Sequence, residues 1–205
     1  MSPLKKGFWA AAVILLILLI DQIIKIRVKT SMALFDTVAV AGWFNIRFIE
    51  NNGMAMGIEV TGKLFLSIFR IIAVVAIAYY ICRLIKRNFK LSYILFVSMI
   101  FAGAAGNIAD SIFYGVIFSE STPAQIAVLF PPEGGYGAWL QGKVVDMFYF
   151  PLFSFTWPSG IPFLGGSRFE FFKYIFNFAD ASISVGTAVL LLFYRKDFSL
   201  SFEKQ

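Results

Sequence analysis

Two phrases of one kind stand in the apolar parts of this chain. Asn107-Ile108-Ala109-Asp110 closes one apolar run, and Asn177-Phe178-Ala179-Asp180 opens another. Asn and Asp three residues apart share a face of a helix. A third acid, Asp146, lies between them in the chain. Polar groups at membrane depth are costly and face a bundle interior or a water-filled cavity. Three uses are open to such a set. Two carboxyls held close together cannot both ionise cheaply, so they share a proton. The ionised one can then deprotonate water while the protonated one polarises a carbonyl, which is peptide hydrolysis of the aspartyl type. Membrane carboxylates also bind and release a cation or proton during transport. Finally, Asn and Asp cap helix ends.

The remaining inventory narrows the chemistry. There is no histidine, which removes Ser-His-Asp and Cys-His catalysis and His-based zinc motifs. Cys82 stands alone, so no intrachain disulfide or Cys-x-x-Cys site exists, and it reads as a small packing residue. Neither a metal nor a cofactor is expected. Hydrophobic residues make up 59%, charged residues 15%, and the mean hydropathy is +0.78. Soluble domains run at about 45–50% apolar and roughly 25% charged. An all-α integral membrane protein follows, and the net charge of +6 reflects topology rather than nucleic acid.

The elements that must position these acids are four spans, about 8–26, 64–82, 91–110 and 174–194, in one domain covering 1–205. The first follows Lys5 and Lys6 and resembles a signal-peptide core, but Asp21 and Lys25 come where a cleavage site would stand, so it is read as retained. Asp21 and Lys25 are four apart, acid first, as suits a helical ion pair; a snorkelling lysine at a helix end is the bland reading. Outer-face segments are 27–61 and 111–173. In the former, Val38–Val40 and Trp43–Ile49 have strand character, and Asn51-Asn52-Gly53 begins a turn-rich string. Gly53 permits close backbone approach to a ligand or simply a turn. Ala102-Gly103-Ala104-Ala105-Gly106 permits close helix packing or approach to substrate. Arg70 lies inside the second span. With four spans both termini share a side, which carries nine basic and two acidic residues. The positive-inside rule makes that side cytoplasmic, and Asn51, Asp110, Asp146 and Asp180 fall at the outer face.

With these residues in place the chain resembles the lipoprotein signal peptidases (signal peptidase II), the membrane aspartyl proteases of bacteria. The likeness rests on Asp21-x-x-x-Lys25, Asn51-x-Gly53-x-Ala55, Gly103-Ala104-Ala105-Gly106-Asn107-x-x-Asp110, Val144-Val145-Asp146 and Phe176-Asn177-x-Ala179-Asp180, in order along most of the chain. The resemblance implies a four-helix bundle with a small extramembrane β-cradle and long outer-face loops. It implies a catalytic pair at Asp146 and Asp180. Asn51, Gly53, Asn107, Asp110 and Asn177 would support the pair or grip substrate, and Asp21 and Lys25 would be the supporting ion pair. The implied substrate is a diacylated prolipoprotein, cut just before its lipidated cysteine in the bacterial cytoplasmic (inner) membrane. Phospholipid bilayer is the implied surrounding, and globomycin-type cyclic lipopeptides the implied inhibitors.

Two features depart from that pattern. Ser111 follows Asp110 where the family has Arg, and Arg47, Lys143 and Arg168 are the candidates to replace it. The spacings from Asp110 to Asp146 and on to Asp180 are long. The insertion at 120–141 holds Pro131-Pro132, Gly134-Gly135 and Gly137, which predicts a mobile flap over the substrate entrance; a solvated insertion without a role is the bland reading. The alternative function is a small four-span ion- or proton-coupled transporter, which should carry its acids near mid-span.

Overall fold

A computed structural model describes residues 1–51 and 63–203. Helix α1 (Pro3–Lys29) starts at the Ser2 cap, with Pro3 in its first turn, and runs for 27 residues, about 40 Å. Helices α2 (Lys63–Lys86) and α3 (Leu91–Ile117) follow a short strand pair. These three are long and apolar enough to cross a membrane. Helix α4 (Phe178–Phe193) is shorter, and an 88° bend separates it from α5 (Arg195–Phe202); taken together, the pair qualifies as a fourth span.

Burial in the bundle is inverted relative to a soluble fold. On α1, Asp21, Lys25 and Lys29 are buried while Leu15, Leu16, Leu19 and Ile23 are exposed. A helix apolar nearly all round, with its polar groups turned inward, is built for lipid. Helix α3 is central and touches α1, α2 and α4.

The sheet is antiparallel, in the order β1 (Thr37–Ala41), β2 (Phe44–Asn51), β3 (Val144–Tyr149), β6 (Ile175–Phe176). Strand β3 is buried from Val144 to Met147. Its Val145 and Met147 join Phe48, Tyr114 and Phe118 in a core between sheet and helices. A separate two-stranded hairpin, β4 (Phe153–Thr156) and β5 (Arg168–Phe171), projects between β3 and β6.

Three sequence expectations change. Helix α3 does not end at Asp110 but continues through the apolar Ile112–Ile117. The fourth helix begins at Phe178 rather than near Tyr174, because Ile175 and Phe176 pair with Tyr149 and Phe148 and Asn177 caps the helix. The 120–141 insertion is bonded to the end of α3 instead of lying as a free flap. Phe130 N donates to Ile117 O, Tyr136 N to Phe118 O and Gly137 N to Gly115 O. Ala127 and Tyr136 belong to or pack on the core beneath the sheet.

Candidate active site

The site forms where α1, α3 and the start of α4 meet β2 and β3. Asn177 is the N-cap of α4: its Oδ1 accepts from Asp180 N at 2.9 Å, and Asp180 Oδ2 accepts from Asn177 N at 3.4 Å. This is a reciprocal capping box. Capping leaves the Asn177 Nδ2 group free to donate elsewhere. It reaches Asp146 Oδ1 at 2.6 Å and Asn107 Oδ1 at 3.1 Å. Asn107 Nδ2 donates to Asp180 Oδ1 at 2.7 Å. Two carboxamides thus join the two carboxylates in one array.

Each flank of the array is held. Asn51 lies opposite Val144, two residues before Asp146 on β3. Its Nδ2 therefore meets Asp146 Oδ2 at 2.8 Å, a diagonal cross-strand contact. Behind the array, Lys25 Nζ pairs with Asp21 Oδ2 at 2.9 Å and Asp110 Oδ2 at 2.8 Å, and donates to Asn107 Oδ1 at 2.8 Å. Asp21 Oδ1 accepts from Ala179 N at 2.9 Å, supplying a second first-turn partner for α4. Asp110 Oδ2 accepts from Val145 N at 3.4 Å, fixing the residue before Asp146. Lys25 is therefore the cationic partner of Asp110. Arg47, Lys143 and Arg168 do not fill that role. Lys143 pairs with Glu50 and Glu120, Arg168 donates to Ser154, and Arg47 lies over the Tyr149 ring. Ser111 Oγ donates back to Asn107 O. Gly53 lies outside the described residues.

Asp146 is buried and Asp180 half-buried. Burial first, and then the charge of Asp180, push the Asp146 carboxyl up to about 7. Such a pair can hold one proton between its members near neutrality. Arg70, on α2, acts electrostatically on both acids. Several contributors carry no sequence motif. Gln22 donates to Asp110 at 2.9 Å and accepts from the Tyr114 hydroxyl at 3.0 Å; its position beside Asp21 inside an apolar span is the signal that could have marked it. Farther out, buried Lys29 pairs with Glu50 and donates to Ser121 Oγ at 2.8 Å, which donates to Glu50 at 2.8 Å.

An integral membrane bundle with an amide-bridged carboxylate pair, one member buried and one half-buried, where helices meet a small sheet is the class defined here. A family model described as signal peptidase II matches residues 13–195. The lipoprotein signal peptidase of Porphyromonas gingivalis is 53% identical over 98% of this chain and 88% of its own length. That of Amoebophilus asiaticus is 34% identical over 92% and 78%. A solved structure described as a bacterial membrane enzyme superposes with a TM-score of 0.62 at 26% identity, covering 96% of this chain and 93% of its own. The chain belongs to the signal peptidase II family, a family of proteases. Nothing in these comparisons supports the transporter alternative.

Proposed function

We propose that this chain is a four-span, single-domain aspartyl endopeptidase that removes the signal peptide from diacylated prolipoproteins just before the lipidated cysteine. Asp146 and Asp180 are its catalytic pair. The observation that carries this reading is the Asp146–Asn177–Asn107–Asp180 array, with its buried acid raised to about 7. In it, Asp146 carries the shared proton to the scissile carbonyl oxygen, and half-buried Asp180 takes a proton from the attacking water. Asp180 then passes its proton to the leaving amine as the C–N bond breaks, and Asp146 takes back the hydroxyl proton of the collapsing gem-diol, which restores the singly protonated pair. Asn51, Asn107 and Asn177 orient the carboxyls. Asp21, Lys25 and Asp110 position those amides and β3, and Gly53 is assigned to substrate by resemblance. The site faces the outer side of the bacterial cytoplasmic membrane, where a lipid-linked substrate arrives in the bilayer plane and water is at hand.

The test is the mobility shift of a diacylated prolipoprotein on incubation with purified protein. Asp146→Asn and Asp180→Asn should each abolish the shift while the variants still insert and melt cooperatively. Turnover retained in either variant removes that residue from the pair. A globomycin-type lipopeptide should block cleavage, and EDTA should not; a zinc-restorable loss in EDTA would sink the mechanism.

A further inference from the structure

The β4–β5 hairpin has no part in the chemistry above, and its two faces differ sharply. Phe153 faces Phe171 and Phe155 faces Phe169 across the strands, whereas Ser154 faces Glu170 and Thr156 faces Arg168. One face is therefore all aromatic and the other all polar. The aromatic face is built: Phe153 and Phe171 stack at 4.8 Å between centroids, Phe155 and Phe169 lie at 5.1 Å, and Trp157 adds an edge contact to Phe155 at 4.9 Å. The polar face carries the link to the cradle, because Tyr149 of β3 donates to Glu170. The aromatic face is thus turned outward, and all four Phe rings are exposed. At the tip, Ile161-Pro162-Phe163-Leu164, Phe163 is fully exposed with φ +64. Left-handed backbone at a water-facing turn favours Gly or Asn; here it displays a large ring.

Such a ribbon is marginal in water by itself. Its connections indicate what covers it. Strand β5 runs through Phe172, Lys173 and Tyr174 into β6 and the capped start of α4, so its base sits where a membrane helix begins. Phe172 packs edge-on against Phe150 and Phe176, extending the ring surface down to that boundary. Lys173, between Phe172 and Tyr174, adds positive charge that suits lipid phosphates. Aromatic belts beside basic residues are the composition of a membrane–water boundary. We propose that the β4–β5 hairpin is an interfacial anchor. It lays its aromatic face and the 161–164 tip into the leaflet surrounding the active-site end, with its polar face toward the cradle.

The test reads depth, so it stands or falls separately from the proposed cleavage. Cys82 is the single native cysteine, and Cys82→Ser gives a background for nitroxide labels at Phe163→Cys, Leu164→Cys, Phe155→Cys and Thr156→Cys. Each full-length protein is reconstituted into phosphatidylethanolamine–phosphatidylglycerol liposomes. Collision with oxygen is compared with collision with a water-soluble nickel chelate. The expected result is a several-fold higher oxygen-to-nickel ratio at 155 and at either tip site than at 156. A water-like ratio at the aromatic sites overturns the anchor. Shielding that needs added prolipoprotein, or that vanishes at high lipid-to-protein ratio, also overturns it, and assigns the face to substrate or to a second copy.

Discussion

Asn177 does two jobs with one side chain. Its Oδ1 caps α4 and its Nδ2 ties Asp146 to Asn107. The jobs separate by substitution. Ser retains a cap acceptor but has no amide to span the two acids. Asn177→Ser should stay within about 1 kcal/mol of the parent in stability yet lose cleavage, whereas Asn177→Ala should lose cleavage and a further ~0.5–2 kcal/mol. Detergent melts beside turnover check this; equal melting of the two variants would deny the cap any weight. Asp146 offers a pH test. Its folded value is raised from 3.8 to about 7, so the fold holds this proton more tightly than the unfolded chain does. That stabilisation is complete below pH 3.8 and is lost as pH rises through about 7. Asp146→Asn cannot titrate there. Its melting temperature relative to the parent should therefore rise from pH 4 to pH 8, by at most the equivalent of roughly 4 kcal/mol. A flat difference refutes the raised value. Asn107, Asp110 and Asn177 were legible because polar residues interrupt apolar runs at helical spacing. Their directions were not: of the two readings open to Asn177 and Asp180, a shared helix face or a helix cap, the cap is the one found, and the pairing with Asp146 comes from another element.

The glycines of α3 set how close the helices lie. A Cβ at Gly103 would stand 2.3 Å from Ala179 O and 2.7 Å from Ile183 Cγ1; at Gly106, 2.7 Å from Asp21 Oδ2. Backbone oxygen cannot yield without moving the first turn of α4. Gly103→Ala should cost ~1–3 kcal/mol and reduce cleavage by displacing Asp180. Gly7→Ala, with open space around it, is the control; equal behaviour would disprove tight packing there. Gly103 and Gly106 make the helix contact that the glycine run permits. The Lys29–Glu50–Ser121 clasp had no local signature, since Lys29 and its partners lie 21 and 92 positions apart. It anchors the residue before Asn51 to the insertion at 120–141. Lys29→Met leaves the buried Glu50 carboxylate with Lys143, at 3.5 Å, as its remaining cation and should cost up to about 3–5 kcal/mol, with Glu50→Gln added restoring much of the melting temperature. No restoration would mean that shape rather than charge sets the cost. The insertion was misread because Pro and Gly mark irregular backbone, and irregular backbone can still be bonded to a helix end. The hairpin was missed although Phe-Ser-Phe-Thr and Phe-Glu-Phe alternate with period two; 11 residues of connection hid their pairing.

At the scale of the molecule, the two ends differ in charge and in task. Lys6 Nζ donates to Asn88 O and Oδ1 and to Phe89 O; Lys90 pairs with Asp197; Arg87 donates to Ser201 O. These contacts gather the chain start, the α2–α3 turn and α5 at one end, where Lys5, Lys86, Arg83, Arg195 and Lys196 also cluster in sequence. The carboxylate array occupies the other end, because α3 runs from Leu91 beside that basic turn to Asn107 and Asp110 at the site. Charge bias in short loops sets membrane orientation. The basic end should then be cytoplasmic, and the array and hairpin should face outward. A fluorescent reporter that matures only in the cytoplasm should shine when fused to the C-terminus. Alkaline phosphatase inserted between Ser159 and Gly160, where an added side chain meets open space, should be active only if that loop is exported. Dark fusions at the C-terminus with inactive phosphatase in the loop would invert the molecule and put the carboxylates on the side where no exported lipid-linked substrate arrives. If lysine and arginine bias sets the orientation, Lys86→Glu, Arg87→Glu and Lys90→Glu together should give mixed orientation, read as partial loss of both reporter signals in one population of cells.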